Sequence, residues 1–384
     1  GLHSVDEVRR AAARRTPRPV FDYVEGGADG ELSLERNIAA FREWELIPFG
    51  PRDVSKISTT TTLFGRELSL PLVCGPTGYT RMIHQAGELG VARAAARTGV
   101  PYGLSTVAAT SIEEVATTGH RNLWFQLYVW RDREMTRSLV DRAWRAGYRA
   151  LEVSVDAPVA GMRIRDLRNG LTIPPKLTPG TVWSIAARPA YWLRVVRNPV
   201  ITFANSPPHV EHGGGITIEN MTSQFDPSVD LDDIAELRSM WPGSLLVKGP
   251  LSPQAAVAVV AAGADGVHLS NHGGRQLDRI APPLVLLADV RAAVGREPTV
   301  IVDSGIRDGT DLAIAIALGA DAGAIGRAYL YGLMAAGERG VELVLRLFAE
   351  QFHRALAFLG VVSVEELRER GTSLLRHRFN STVP

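Results

Sequence analysis

The sequence predicts an α/β barrel in which eight parallel strands alternate with helices. Eight short apolar runs have the length and composition of buried strands: Leu70–Gly75, Pro101–Ser105, Leu123–Val129, Ala150–Val155, Leu245–Gly249, Gly266–Ser270, Thr299–Asp303 and Ala322–Gly326. Alanine-rich amphipathic stretches separate them, and three of these stretches end in glycine, as helices commonly do. The alternation favours a closed (β/α)8 TIM barrel. A doubly wound sheet is the competing fold, but no G-x-G-x-x-G motif follows the first strand.

Composition places the chain among globular proteins and excludes several classes. Hydrophobic residues make up 45% of the 384 residues and charged residues 22%, unlike a disordered chain, a collagen or a coiled coil. The 42 basic and 41 acidic residues leave a net charge of +1, so we expect no nucleic-acid partner. The single cysteine, Cys74, excludes an internal disulfide framework and a multi-cysteine metal site, and we expect no metal.

We expect one domain over residues 1–384, since a single barrel accommodates this length. An N-terminal helical segment (1–68) precedes the barrel (69–360). Within this segment, Val5–Arg14 and Glu31–Trp44 have helical patterns and flank the stretch FDYVEGGADG. These helices either close the bottom of the barrel or fold toward its mouth.

The interval between the fourth and fifth strands is too long for one strand–helix unit. We therefore predict an insertion loop over residues 176–228, which at this place in a barrel lies above the mouth and acts as a lid. Aromatic and arginine residues alternate over residues 181–208, which also fits a membrane surface or a partner contact. A packed subdomain is the third alternative.

The apolar runs of the chain and its first residues indicate where the protein is located. No apolar run reaches the ~18 residues that span a bilayer, and the first residues lack the apolar core of a signal peptide. We expect a cytoplasmic protein, with peripheral contact on the inner face of the membrane through residues 181–208 as an alternative.

Residues suited to chemistry follow every predicted strand, at the end where barrel enzymes carry their active sites. In the loop SNHGGR, the glycines let His272 and Arg275 point into one cavity. His272 suits proton abstraction near neutral pH, Arg275 suits a carboxylate, and Asp156 is placed to orient His272.

The last two strands predict a phosphate site. Gly305 and Gly326 allow close backbone approach, while Arg307 and Arg327 offer forked donors. Lys248 ends a buried strand, where an unpaired ammonium is costly. It serves either as a Schiff-base lysine or as the counter-ion of an electron-rich ring, and the motif alone does not choose between them.

Taken together, these motifs resemble one family: the FMN-dependent (S)-2-hydroxy acid oxidases and dehydrogenases, which include glycolate oxidase, lactate oxidase, L-lactate dehydrogenase and (S)-mandelate dehydrogenase. The resemblance covers nearly the whole chain, through FDYVEGGADGELSLERN, PTG, FQLYVW, VDAPVAGMRIRDLRNG, LLVKG, LSNHGGRQLD, VDSGIRDGTD and GRAYLYGL. SNHGGRQLD is the most specific of these motifs.

The resemblance implies FMN as cofactor and gives the residues roles. His272 is the implied base, with Asp156 behind it. Implied substrate contacts are Tyr23, Tyr128, Arg163 and Arg275. Implied flavin contacts are Pro76, Thr77, Gly78, Ser105, Gln126, Ser154, Lys248 and Ser270. The ribityl and phosphate end falls to Asp303, Ser304, Gly305, Arg307, Gly326 and Arg327. Lys248 beside the N1–C2 carbonyl edge makes the counter-ion interpretation preferable.

Two departures from the family pattern suggest the substrate. Gly78 stands where many members have alanine, and Ser154 stands where threonine is usual. Val107 and Ala160 are small beside the residues of glycolate-type members. We therefore expect a roomier pocket, which favours substrates from lactate to aryl or branched acids over glycolate.

The resulting prediction is oxidation of an (S)-2-hydroxy acid, L-lactate or mandelate-like, to the 2-oxo acid. Electrons pass from FMN to a quinone or another acceptor. An oxidase that uses O2 and produces hydrogen peroxide is the alternative, and a Schiff-base aldolase using Lys248 is the alternative of a different class. The resemblance also implies a homotetramer.

Overall fold

The computed structural model describes residues 1–169, 183, 187–189, 191–193, 203–206 and 222–379. Helices in these residues are α1 Val5–Arg15, α2 Arg18–Glu25, α3 Leu32–Arg42, α4 Thr80–Ile83, α5 Gly87–Thr98, α6 Ile112–Ala116, α7 Arg133–Arg145, α8 Ile164–Asn169, α9 Leu231–Met240, α10 Pro253–Ala261, α11 Pro283–Val294, α12 Gly309–Ala317, α13 Arg327–Ala336, α14 Glu338–Leu359 and α15 Val364–Arg370, followed by a 3-10 turn Gly371–Leu374. The strands are β1 Trp44–Leu46, β2 Thr61–Leu63, β3 Arg66–Leu68, β4 Leu72–Thr77, β5 Tyr102–Ser105, β6 Leu123–Leu127, β7 Ala150–Ser154, β8 Ser244–Lys248, β9 Gly266–Leu269, β10 Thr299–Val302, β11 Ala322–Ile325 and β12 Leu375–His377.

Strands β4 to β11 form one closed parallel barrel in chain order, with β11 paired to β4. Each strand corresponds to one of the eight apolar runs of the sequence, and the predicted TIM barrel is confirmed. Polar groups cap several helices at their first turn: Ser111 and Asp230 form capping boxes, and Asp308 accepts from Thr310 and Asp311. Because the eight barrel strands are parallel, their carboxyl ends lie on one face of the barrel.

A hairpin of β2 and β3 closes the opposite, amino end of the barrel. Leu63 and Leu68 pack against inward-facing residues of the barrel strands, among them Trp124, Leu246 and Ile301. The N-terminal segment (1–68) was predicted to be helical, but it also contains this hairpin. The sequence did not indicate it, because three-residue strands are too short to leave an alternating pattern. A second short pair joins β1 to β12.

The N-terminal helices α2 and α3 lie at the mouth. Helix α2 covers FDYVE, which the sequence analysis placed between helices, and α3 begins at Leu32 rather than Glu31. The turn after α2 joins the mouth through two backbone hydrogen bonds, from Ala28 to Gly274 and from Asp29 to Met162, at 2.8 and 2.9 Å. Of the two positions predicted for these helices, α2 and α3 therefore take the one toward the mouth, and the hairpin of β2 and β3 closes the other end.

Most of the predicted insertion (176–228) lies outside the described residues. In its described parts, Tyr191 donates a hydrogen bond to the Met82 carbonyl at 2.6 Å, and the ring of Phe203 packs edge-on against Tyr79. Trp183 and Leu193 are exposed. Within the part of the chain that the structure describes, we find no helix long and apolar enough to cross a membrane.

One buried pair ties α3 to the loop after β9. The side-chain amides of Asn37 and Asn271 exchange two hydrogen bonds of 2.9 and 2.7 Å, and Asn271 also accepts from the Gly274 amide. We expect Asn37→Ala to lower the free energy of unfolding by about 1–3 kcal/mol, because it leaves a buried amide unpaired.

Denaturant unfolding of the flavin-free protein measures this effect. Arg36→Ala, on the exposed face of the same helix, is the control and should stay within about 0.5 kcal/mol of the parent. Equal effects of the two substitutions would contradict the prediction.

Candidate active site

A cavity of about 1330 Å³, counted with its open mouth, lies at the carboxyl ends of the barrel strands. All the residues that the sequence singled out line it except Asp156 and Ser270, which lie directly behind the lining residues His272 and Lys248. The cavity floor includes backbone that side chains leave open. A Cβ added to Gly326 would meet only the Thr77 methyl, at 3.6 Å, so the glycine leaves space for a ligand.

The loop after β9 holds His272 in a strained backbone conformation. His272 has φ +58°, a left-handed value that is uncommon outside glycine, and Ser304 on the neighbouring loop has φ +67°. Serine hydroxyls hold the turn: Ser270 Oγ accepts from the His272 amide and Ser304 Oγ accepts from the Gly273 amide, each at 3.0 Å. Such strain is typical of a functional position.

His272 is oriented by Asp156. Its Nδ1 lies 3.0 Å from Asp156 Oδ2, and its Nε2 lies 3.4 Å from the Tyr128 hydroxyl. Because the carboxylate accepts the Nδ1 proton, Nε2 is left as the acceptor that faces the cavity. Burial raises the pKa of Asp156, but Lys248 and His272 outweigh it and hold that pKa below its ordinary value. The carboxylate is therefore ionised at neutral pH.

Lys248 is the buried centre of the site. Its ammonium donates to Ser270 Oγ at 2.6 Å and lies 3.6 Å from both Asp156 and Asp303. Burial lowers the pKa of Lys248, yet the two carboxylates outweigh burial and raise it above its ordinary value. A Schiff-base lysine must lose its proton to attack a carbonyl, so these contacts disfavour the aldolase alternative.

A ladder of neutral polar side chains crosses the neighbouring strands β5, β6 and β7. Ser105 Oγ donates to Gln126 Oε1 at 2.8 Å, and Gln126 Nε2 donates to Ser154 Oγ at 3.1 Å. The three side chains are buried and line the cavity. They present the kind of donor and acceptor pattern that fits the edge of a heteroaromatic ring.

The predicted substrate contacts gather at the mouth. Arg275 donates through Nη1 to the carbonyls of Tyr23 and Gly26, and its guanidinium lies 4.9 Å from the Tyr23 ring centre. Arg163 pairs with Asp166 at 2.9 Å. Burial raises the pKa of Tyr23, so its hydroxyl remains protonated.

The predicted phosphate end contains an arginine with backbone partners. Arg327 donates to three backbone carbonyls, those of Val24, Gly26 and Gly273, at 2.8–2.9 Å. These bonds use three of its five N–H groups, so two of the predicted donors remain for a phosphate. The acceptors of Arg327 carry no charge. Burial, and after it the repulsion from the nearby Arg275, lowers the pKa of Arg327 to about 9.

This excess of positive charge fits an anion. Arg307 also lines the cavity and adds to the repulsion on Arg327. A phosphate at this end would neutralise the cluster, with the amino end of the ten-residue helix α13 beside it. The open glycine, the polar ladder and the cationic end together fit a flavin mononucleotide.

Gly78 does not enlarge the pocket by itself. A Cβ at this position would lie 2.5 Å from Val107 Cγ2, so the valine already fills the space that the missing methyl leaves. The interpretation that Gly78 opens the pocket is wrong on this point, because the sequence does not show which side chain faces it.

Three residues of the site region were missed. Phe225 stacks on Tyr128 with ring centres 4.4 Å apart, although it belongs to the predicted insertion. Glu152 and His268 form a buried pair inside the barrel. No local motif marks any of the three. Among the described residues, no cluster of His, Cys, Asp and Glu could hold a metal ion.

Comparison with known proteins identifies the family. A family model described as FMN-dependent dehydrogenase matches residues 12–374. A putative L-lactate dehydrogenase of Mycobacterium tuberculosis is 44% identical over 374 residues, which are 97% of this chain and 89% of that protein. The (S)-mandelate dehydrogenase of Pseudomonas putida is 40% identical over 95% of this chain and 92% of its own length.

A solved structure agrees with this assignment. The crystal structure of the monotopic membrane protein (S)-mandelate dehydrogenase superposes with a TM-score of 0.93 at 38% identity, covering 98% of this chain and 100% of that one. The chain therefore belongs to the FMN-dependent dehydrogenase family, whose cofactor is FMN.

Proposed function

We propose that this protein oxidises an (S)-2-hydroxy acid, L-lactate or a mandelate-like acid, to the 2-oxo acid. The observation that carries the proposal is the orientation of His272, whose Nδ1 is held by Asp156 while its Nε2 faces the cavity beside Tyr128. Relatives named L-lactate dehydrogenase and (S)-mandelate dehydrogenase support this substrate class.

In this mechanism His272 Nε2 accepts the substrate proton, and the ionised Asp156 stabilises the imidazolium that forms. Arg163 and Arg275 hold the substrate carboxylate, and fixed guanidinium forks position it better than mobile cations. Tyr23 and Tyr128 donate hydrogen bonds, since burial raises the pKa of each phenol and keeps it protonated.

Bound FMN would supply the oxidant, taking up the two electrons and the second hydrogen that leave the substrate. Its isoalloxazine edge is assigned to Lys248, Ser270 and the ladder of Ser105, Gln126 and Ser154. The backbone of Pro76, Thr77 and Gly78, which lines the cavity, would hold one side of the ring. The ribityl and phosphate end is assigned to Asp303, Ser304, Gly305, Arg307, Gly326 and Arg327.

A quinone or another carrier is the proposed electron acceptor, supported by the relatives named dehydrogenases. An oxidase that reduces O2 to hydrogen peroxide is the outcome that would replace it. A homotetramer remains part of the proposal, and light scattering on the purified protein measures it.

Contact with a membrane surface is also proposed. Trp183 is 76% exposed and Leu193 51% exposed within the segment 181–208, and one relative of known structure is a monotopic membrane protein. Large apolar side chains exposed beside arginines favour an interfacial site.

The first prediction concerns the half-reaction. Anaerobic addition of L-lactate or (S)-mandelate should bleach the oxidised flavin absorbance of the purified protein. The His272→Ala variant should still bind FMN, but its rate of flavin reduction should fall by about two to four orders of magnitude. The substitution removes the base without touching the flavin contacts.

Stopped-flow absorbance measures both rates, and air admitted afterwards reports on reoxidation by O2. A yellow protein that neither acid bleaches would refute the proposed substrates. An alanine variant that turns over normally would refute the role of His272.

The second prediction concerns the contact between Gly78 and Val107. Gly78→Ala should slow anaerobic reduction by (S)-mandelate at least tenfold, because the new methyl displaces Val107 into the cavity. Val107→Ala in the same chain should restore most of the rate. Residues in contact usually show coupling of about 0.5–3 kcal/mol, so the double-mutant cycle should be non-additive. Additive effects would show that the two residues act independently.

The third prediction concerns membranes. The intact protein should float with liposomes that contain anionic lipid, and a Trp183→Ser, Leu193→Ser variant should float less, because exposed apolar side chains drive interfacial binding. Val257→Ser and Phe358→Ser, at exposed positions on α10 and α14, form the matched control. Equal flotation of the parent and the Trp183, Leu193 variant would rule out this contact.

A further inference from the structure

The barrel interior contains a charged pair that the proposed mechanism does not use. Glu152 on β7 and His268 on β9 contact each other through Oε1 and Nδ1. Their side chains are 2% and 1% exposed, and the barrel filling toward the amino end is apolar, with Trp124, Leu246 and Ile301. Two charged groups in such a place need an explanation, because apolar residues of similar volume often give equal or greater stability.

The pair continues into the active site. The second ring nitrogen of His268, Nε2, lies 3.2 Å from Asp303 Oδ2, and the same oxygen lies 3.6 Å from the Lys248 ammonium. Asp303 is fixed from its other oxygen, which accepts a hydrogen bond of 2.6 Å from Ser304. Charges therefore alternate from the barrel interior to the cavity in the order Glu152, His268, Asp303, Lys248.

The protonation states follow from these neighbours. Burial lowers the pKa of His268, but Glu152 and Asp303 outweigh it and raise that pKa to about 9, so the ring is an imidazolium at neutral pH. Burial raises the pKa of Asp303, yet Lys248 and His268 hold it far below its ordinary value.

The charges around Lys248 show how His268 affects the electrostatic potential in the cavity. Lys248 faces two carboxylates, Asp156 and Asp303, so one ammonium is set against two negative charges. The imidazolium of His268 takes up part of the Asp303 charge. Without it, the two carboxylates would cancel more of the field that Lys248 projects into the cavity, since interactions in a buried site are weakly screened.

We propose that His268, held in place by Glu152, is a positioning residue that seats Asp303 against Lys248 and thereby maintains the positive potential at the flavin edge of the cavity. This inference rests on the proposed placement of FMN beside Lys248. It concerns the reduction potential of the bound flavin and does not depend on which hydroxy acid is the substrate.

The test compares His268→Gln, Glu152→Gln and the double variant with the parent holoenzyme. The readouts are the two-electron midpoint potential of FMN and the dissociation constant of sulfite, an anion that binds oxidised flavin. His268→Gln and the double variant should weaken sulfite binding at least tenfold and lower the two-electron potential by about 30 mV, which is a tenfold change in the equilibrium constant of flavin reduction. Glu152→Gln should shift both quantities in the same direction but by less than His268→Gln does, because His268 loses the carboxylate that holds it yet still faces Asp303.

His120→Gln is the matched control. His120 is a partly buried histidine that contacts the Val100 carbonyl, and burial lowers its pKa to about 4. Its replacement should leave the potential and sulfite binding unchanged. If His268→Gln leaves Glu152 unpaired and fails to fold, the double variant removes both charges together and gives the same measurement.

A second readout needs no flavin. Nitrogen-15 NMR of the flavin-free protein, labelled at histidine, should show both ring nitrogens of His268 protonated at pH 7.5 and His120 neutral. A neutral His268, or a double variant that retains FMN with the potential and sulfite affinity of the parent, would overturn the inference. Failure of both acids to bleach the flavin would overturn the proposed substrates and leave these measurements unaffected.

Discussion

The buried ammonium of Lys248 is the constraint on which the site depends. An unpaired cation inside a barrel is strongly unfavourable, so partners must reach it from several directions. Asp156 follows β7, Ser270 follows β9 and Asp303 follows β10, and each contacts the ammonium. The parallel barrel brings these neighbouring strand ends around one point, so the fold supplies the partners that the ammonium requires.

Asp156 serves two cations at once. Its Oδ2 lies 3.0 Å from His272 and 3.6 Å from Lys248, while its Oδ1 is buried with no hydrogen-bond partner in the described residues. A carboxylate already stabilised by Lys248 remains ionised whether or not His272 carries a proton. The imidazole can therefore gain a proton without leaving a buried acid to be protonated in its place, which suits a base that must be regenerated in each turnover.

The residues at the strand ends could be predicted from the sequence, but the contacts between side chains inside the barrel could not. Lys248 and His272 could be placed at one cavity because all parallel strands of a barrel end on the same face. Glu152 lies within a five-residue strand and His268 within a four-residue strand, where a buried run does not show which side chains face inward or which of them meet. Their pairing depends on the register of two strands separated by a third, and no local pattern encodes it.

The backbone partners of Arg327 likewise could not be predicted from the sequence. Arg327 was predicted as a phosphate donor from its place after the last strand, and the structure adds carbonyl partners about 300 positions earlier in the chain. Carbonyl acceptors orient a guanidinium without cancelling its charge, whereas Arg163 is paired with the carboxylate of Asp166. The carboxyl end of α2 and Gly26 after it thus hold Arg275 and Arg327 through neutral oxygens and leave their positive charge for anions. The N-terminal segment is accordingly part of the site, because without its carbonyls Arg275 would lose both of these acceptors and Arg327 two of its three.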